Sequence, residues 1–186
     1  HKSICLNILR HNTSRPGNSA VADLHRSDEH RVRSDLYPVA DMRLVLQGLG
    51  LGRGHRVAIY LDKRVETVVS VFAASIAGGV FVPVNPLLRP RQVGHIIDDC
   101  GARVLVTSAD RFDQLEDQLA DCKTIERVVL VGDGRRARPG ARYEIVEWAT
   151  VASSGDEPVD RGAVEGDMAA ILYTSGSTGR PKGVVL

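Results

Sequence analysis

Residues 171–186 read ILYTSGSTGRPKGVVL, and they concentrate the side chains best suited to chemistry. Glycines at 176, 179 and 183 allow backbone conformations closed to other residues and let N–H groups converge on one point. Thr174, Ser175, Ser177 and Thr178 add hydroxyl donors, Lys182 adds a full positive charge, and Pro181 stiffens the approach to it. Lys182 is one of four lysines, with Lys2, Lys63 and Lys123, in a chain whose other basic residues are arginines. Converging N–H groups, hydroxyls and a cation suit phosphate oxygens. A flexible Gly/Ser linker could gather hydroxyls by chance, but it explains neither the apolar strand-like run before the loop nor the lysine at its end.

Register separates this loop from the two common phosphate-binding patterns. A P-loop requires GxxxxGK[ST]; counted from Gly176, Pro181 falls on the second glycine and Gly183 on the hydroxyl position. The dinucleotide pattern GxGxxG fails at 48–53, where Arg53 replaces the last glycine, and at 132–137, where Ala137 does. The sequence therefore predicts a phosphate loop of neither kind.

The elements that must position the loop follow from periodicity. Residues 39–49 read as a helix, 56–61 (RVAIYL) as a buried strand, 65–77 as a helix and 80–84 (VFVPV) as a strand. A helix over 90–100 carries Pro90 in its first turn and Gly101 as its stop. Strand 103–108, polar-faced helix 110–121 and strand 127–132 follow, then strand-rich 142–148, a Gly/Ser/Asp/Pro-containing linker over 153–166, and strand 168–174 leading into the loop. Short apolar strands alternating with helices of about ten residues predict an α/β fold with a mainly parallel sheet flanked by helices. Ligands bind such sheets beyond the carboxyl ends of strands, where this loop is expected to lie after a buried strand. Residues 1–34 have weak periodicity and read as a peripheral segment; 35–186 form the domain portion. No internal repeat is visible.

Composition narrows the class. Hydrophobic content of 43% and charged content of 25% are those of a soluble globular protein, and a net charge of +1 gives no push toward nucleic acid. The basic run 134–142 lacks interleaved aromatics and reads as a solvated turn. Cys5, Cys100 and Cys122 form no CxxC pair and predict free buried thiols in a reducing, cytoplasmic setting. The histidines have no metal-ligand spacing. Residues 67–88 carry no charge over a membrane-spanning length, but Gly78-Gly79, Pro83 and Pro86 divide them. Val65, Val68, Val69, Phe72 and Ile76 share one helical face, which predicts a buried helix with Glu66 and Ser70 turned away from the core, then a glycine stop and a buried strand. Residues 1–35 lack an apolar h-region and predict no signal peptide; His1 in place of Met suggests a processed or shortened chain.

YTSGSTGRPKGV (Tyr173–Val184) closely resembles the phosphate-loop motif of the adenylate-forming superfamily, which holds acyl-CoA synthetases, adenylation domains of peptide synthetases and luciferases. AASIAGGVFVPVNP (73–86), IIDDCGARVLVTS (96–108) and LGLGRGHRVAIYL (49–61) resemble that family's upstream segments in order and spacing, so the resemblance covers roughly residues 35–186. GGVFVPVNPLLRP and DMAAILYTSGSTGRPKGVVL look nearest to acyl-CoA ligases of the type associated with bacterial exosortase systems. Departures lie upstream: Val32-Arg33 stand where the family has Thr-Tyr, Pro38 falls where a helix should begin, and His55 replaces the Asp of Gly-Asp-Arg-Val.

The resemblance implies the first part of the large N-terminal domain of an enzyme that joins a carboxylic acid to ATP as acyl-adenylate, releases pyrophosphate, and passes the acyl group to the thiol of coenzyme A or a carrier protein. By matching positions, Thr174, Ser175, Gly176, Ser177, Thr178, Gly179 and Lys182 would contact the ATP phosphates, with Thr174 also in the Mg²⁺ shell and Lys182 the catalytic cation, acting as a clamp and not as a general base. Arg180 occupies a variable place in the motif. Family members normally continue for several hundred residues past this motif, with the adenine pocket, a ribose-binding Asp and a late catalytic Lys; the expectation is a piece inactive alone. Two other readings use the same loop: a small ATP-binding or regulatory module without acyl transfer, and an unusual NTPase.

Overall fold

A computed structural model describes residues 46–48, 50–132, 137–151, 164, 166–174 and 181–186. The elements are β1 (Arg56–Tyr60), α1 (Val65–Ile76), β2 (Val80–Pro83), α2 (Pro90–Cys100), β3 (Val104–Ser108), α3 (Ala109–Asp121), β4 (Arg127–Val131), β5 (Glu144–Glu147), α4 (Trp148–Val151), β6 (Ile171–Thr174) and β7 (Lys182–Val185). Five strands make one sheet in the order β2-β1-β3-β4-β5, every neighbouring pair parallel. Parallel neighbours need crossovers, and here helices supply most of them, leaving apolar strands covered on both faces. Val57 and Ile59 of β1 enter the core beneath α1, with Val69, Ala73 and Ala74. Ala58 and Tyr60 enter the opposite core, with Ile96, Ile97, Phe112 and Leu115 of α2 and α3.

Local chemistry sets the ends of the elements. Pro90 starts α2, where a missing N–H costs nothing, and the Gln92 side-chain oxygen accepts a bond from the Arg89 N–H at 3.0 Å. Gly101 ends α2 in the left-handed region at φ 60°. Its carbonyl and that of Cys100 accept bonds from Arg56 at 2.9 and 2.6 Å, which ties the helix end to the start of β1. Gly78, at φ 77°, turns the chain from α1 into β2. Pro83 is tolerated because β2 is the edge of the five-stranded sheet. Two residues earlier, the Phe81 N–H points outward and donates to the Ala169 carbonyl at 3.1 Å, and Pro83 lacks its N–H on that same side. His55 closes its own turn, its Nδ1 accepting from the Gly52 N–H at 2.9 Å.

Several sequence expectations need correction. Helix α1 is turned from its expected orientation: Val69, Ser70, Ala73 and Ala74 are buried, whereas Val65 is 73% and Phe72 56% exposed. Small side chains win the sheet-facing positions because they let helix and sheet approach closely. The Ser70 hydroxyl is satisfied there by donating to the Glu66 carbonyl at 2.6 Å. The last predicted strand is not a buried member of the parallel sheet. β6 forms an antiparallel hairpin with β7 and is only half buried, and the residue before it, Ala170, meets Phe81 of β2 in an isolated parallel bridge. α4 and β7 were not anticipated. Of the helix expected over 39–49, Leu46–Gly48 are described and helical; most of it, residues 1–45 and most of the linker 153–166 lie outside the described residues. No helix among the described residues is long and apolar enough to cross a membrane.

Candidate functional site

The hairpin pairs Ile171 with Val185, Leu172 with Val184, Tyr173 with Gly183 and Thr174 with Lys182. Directly opposed residues of an antiparallel pair project from the same face, and alternate residues from opposite faces. Ile171 and Tyr173 accordingly pack against the core beside α2 and α3, while Leu172 and Thr174 face outward. Thr174 and Lys182 thus stand side by side on the exposed face, at the mouth of the loop that joins the two strands. Leu172 and Val184, 37% and 49% exposed, form an apolar shoulder beside them.

The structure therefore brings together the two outer members of the predicted ligand set. Ser175, Gly176, Ser177, Thr178 and Gly179 lie outside the described residues, as does Arg180. Sequence reasoning missed that Lys182 begins a strand. The signal was present: a Gly/Ser/Pro stretch between two β-prone runs, ILYT and VVL, is a hairpin pattern.

Backbone and side-chain bonds fix the hairpin at its base and along its inward face. The Ala169 N–H donates to the Leu186 carbonyl at 2.8 Å, and the Leu186 N–H donates to the Ala170 carbonyl at 2.9 Å. The Asp167 carboxylate accepts from the Val164 N–H at 2.9 Å and from Arg53 Nε at 2.9 Å. The Val164 N–H and then the Arg53 guanidinium hold this carboxyl below the usual aspartate range. On the inward face, the Tyr173 hydroxyl donates to Asp99 of α2 at 2.5 Å. Burial and then the Asp99 carboxylate push the Tyr173 phenol well above its ordinary value.

An exposed hydroxyl beside an exposed ammonium, with no carboxylate on the paired positions, is a donor set for an anion and fits phosphate oxygens. For Mg²⁺ the protein offers less. Among the described residues no group of three or more His, Cys, Asp or Glu side chains could hold a metal ion. Thr174 could contribute one hydroxyl to an ion otherwise held by phosphates and water, the usual arrangement for Mg²⁺ on nucleotides. Two cavities lined by described residues lie elsewhere. One, of about 330 Å³, is lined by residues of α2, α3 and Cys122, including His95, Asp98 and Gln118; the other, of about 480 Å³, lies at the start of α1. The basic run 134–142 is partly engaged, since Arg138 meets Glu116 and Asp117 of α3 at 2.9 Å each.

The fold is a five-stranded parallel α/β sheet with an antiparallel hairpin beside its β2 edge. Residues 39–186 match the model of the AMP-binding enzyme family, and the chain belongs to that family. It is 31% identical over 171 residues to an acetyl-coenzyme A synthetase of Gemmatimonas aurantiaca, covering 81% of this chain and 26% of that one. It is 28% identical over 142 residues to gramicidin S synthase 2 of Brevibacillus brevis, covering 76% of this chain and 3% of that one. Among solved structures, ATP-bound MatB from Rhodopseudomonas palustris superposes with a TM-score of 0.65 at 29% identity, covering 82% of this chain and 28% of that one. The chain thus spans less than a third of the length of each of these relatives.

Proposed function

We propose that residues 35–186 supply the β,γ-phosphate clamp of an ATP-dependent ligase that activates a carboxylic acid as its adenylate, with 1–34 a peripheral segment. The observation that carries this reading is the pairing of Thr174 with Lys182 at the mouth of the Ser175–Pro181 loop, in a chain of the AMP-binding family. In the first step a carboxylate oxygen bonds to the α-phosphorus of ATP and the bond from that phosphorus to the bridging oxygen breaks. The electron pair leaves with pyrophosphate, so charge builds on the β- and γ-phosphates. Donors already in place stabilise that charge without reorganising. Lys182 is the cation of this set and Thr174 its described hydroxyl; Ser175, Gly176, Ser177, Thr178 and Gly179 complete it. Thr174 would offer one hydroxyl oxygen to a Mg²⁺ ion carried with the nucleotide, and that ion would supply neutralisation of phosphate charge. A thiol then displaces AMP from the acyl carbon to give the thioester. Coenzyme A is the thiol suggested by the acetyl-CoA synthetase relative, and a carrier-protein thiol by the peptide synthetase relative.

Free thiols at Cys100 and Cys122 and the use of ATP support a cytoplasmic setting. The share of each relative that is spanned supports a nucleotide site completed by polypeptide outside residues 35–186. The test is exchange of labelled pyrophosphate into ATP by the full-length parent protein, with acetate, a medium-chain fatty acid and an aromatic acid supplied in turn. Exchange that depends on one of these acids is expected. Release of inorganic phosphate from ATP with no exchange would replace this reading with that of an NTPase.

A further inference from the structure

We propose that Tyr173, through its bond to Asp99, is a positioning residue for the Thr174–Lys182 pair; this rests on the reading of that pair as a phosphate clamp. Tyr173 immediately precedes Thr174 and, by alternation, points to the opposite face of the hairpin. Across the hairpin it is paired with Gly183, the residue that follows Lys182. A Cβ built on Gly183 would lie 3.1 Å from Tyr173 Cζ and 3.3 Å from its hydroxyl oxygen. The phenol ring therefore lies, with the Ile171 side chain, over the position that a side chain at 183 would take. Its far end then reaches α2, where the hydroxyl donates to Asp99 Oδ2 at 2.5 Å.

One side chain thus touches both strands, next to each clamp residue, and ties them to a helix. That helix is a firm support: Val93, Ile96 and Ile97 are fully buried and Gly101 closes its end. The described part of the hairpin is held mainly through β6, whose Ile171 and Tyr173 pack against the core. All four β7 residues are exposed, and among the described residues the backbone link to the large sheet is made just before β6, by the bridge of Ala170 to Phe81 and the Phe81–Ala169 bond. Two-stranded hairpins are marginal alone, and misplacement of a clamp by about an ångström is costly to rate. A Cβ on Gly183 would also lie 2.9 Å from Ile171 Cγ2, so glycine at 183 makes room for both inward-facing side chains of β6, Ile171 and Tyr173.

The test compares Tyr173→Phe, Asp99→Ala, Asp99→Asn and the Tyr173→Phe/Asp99→Ala double variant in the full-length parent protein. The first measurement is amide hydrogen exchange of 171–174 and 182–185. Tyr173→Phe is expected to lower protection there several-fold while β1 and β3 keep theirs. The second is pyrophosphate exchange. Tyr173→Phe and Asp99→Ala should each lower kcat/KM for MgATP about five-fold, a typical worth for one half-exposed hydrogen bond. The KM for the carboxylate should stay unchanged, the double variant should be no worse than either single one, and Asp99→Asn, which keeps an acceptor oxygen, should recover most of the loss. Additive losses, or an equal loss toward the carboxylate, would overturn the positioning role. Unchanged protection overturns the anchor itself, whatever the activity. A parent chain that shows no pyrophosphate exchange while Tyr173→Phe still loses protection would sink the clamp reading and the positioning role, and leave Tyr173 as an anchor only.

Discussion

Lys182 and Thr174 share a face of the β6–β7 hairpin, and their roles separate by charge. A lysine that stabilises charge developing on the leaving phosphates acts in the transition state more than in the ground state. Lys182→Ala should therefore lower the rate of carboxylate-dependent pyrophosphate exchange roughly 100-fold, the order expected for losing one oxyanion-stabilising donor. The dissociation constant of the carboxylate should change far less; rapid-mixing kinetics that show equal losses of both would deny Lys182 this role. Two residues outside the site also make a residue-scale prediction. Burial pushes the Cys100 thiol up to about 11, against the pull of Arg56, and burial with Asp98 and Asp121 does the same for Cys122. Both should resist iodoacetamide at a pH of about 8.5 in the folded protein and react once urea exposes them. The linkage has a definite sign. A thiol whose folded pKa lies above its ordinary 9.0 gives stability that is complete below pH 9 and is lost as pH rises toward about 11. The urea midpoint should fall over that window, and less so in Cys100→Ala.

At the scale of elements, α2 was legible nearly to the residue because two position-specific signals bracket it, Pro90 at its start and Gly101 at its end. Gly101 sits at φ 60°, and a Cβ there would lie 2.6 Å from an Arg56 guanidinium nitrogen. Gly101→Ala should cost about 1–2 kcal/mol in urea unfolding from backbone strain, with displacement of Arg56 adding to it. The strands of the parallel sheet were legible for a similar reason: runs such as VLVTS and RVVLV are buried on both faces and have no polar alternation to mislead. α1 was legible as a helix but not in its orientation. Counting large apolar residues selects Val65, Val68 and Phe72, whereas the sheet accepts Ser70, Ala73 and Ala74, whose small volume permits close approach. That orientation is testable: Ser70→Leu should destabilise by about 1–3 kcal/mol through overpacking, while Val65→Ser should change stability by less than about 0.5 kcal/mol. The hairpin was half legible. The glycines and hydroxyls marked the loop, but attention to its chemistry hid the strand that begins at Lys182. The pairing of Tyr173 with Asp99, far apart in sequence, carries no local signal at all.

For the molecule as a whole, the sheet order β2-β1-β3-β4-β5 with helices on both faces is the scaffold, and the hairpin hangs from its β2 edge. The residues proposed to hold phosphate, Thr174 and Lys182, are therefore carried beside the parallel sheet and not within it, fixed by Arg53 to Asp167 at the base and by Tyr173 to Asp99 along the side. Family membership rests on residues 39–186 together, while the reaction proposed rests on the few residues at the hairpin mouth. The measurement that bears most directly on that reaction uses ATP labelled in its α-phosphate, with a carboxylic acid that supports exchange and with coenzyme A. Label should appear in AMP in step with thioester and pyrophosphate, and the rate should collapse in Lys182→Ala. Label recovered in ADP, with inorganic phosphate as the other product, would contradict adenylation and the clamp role assigned to Thr174 and Lys182.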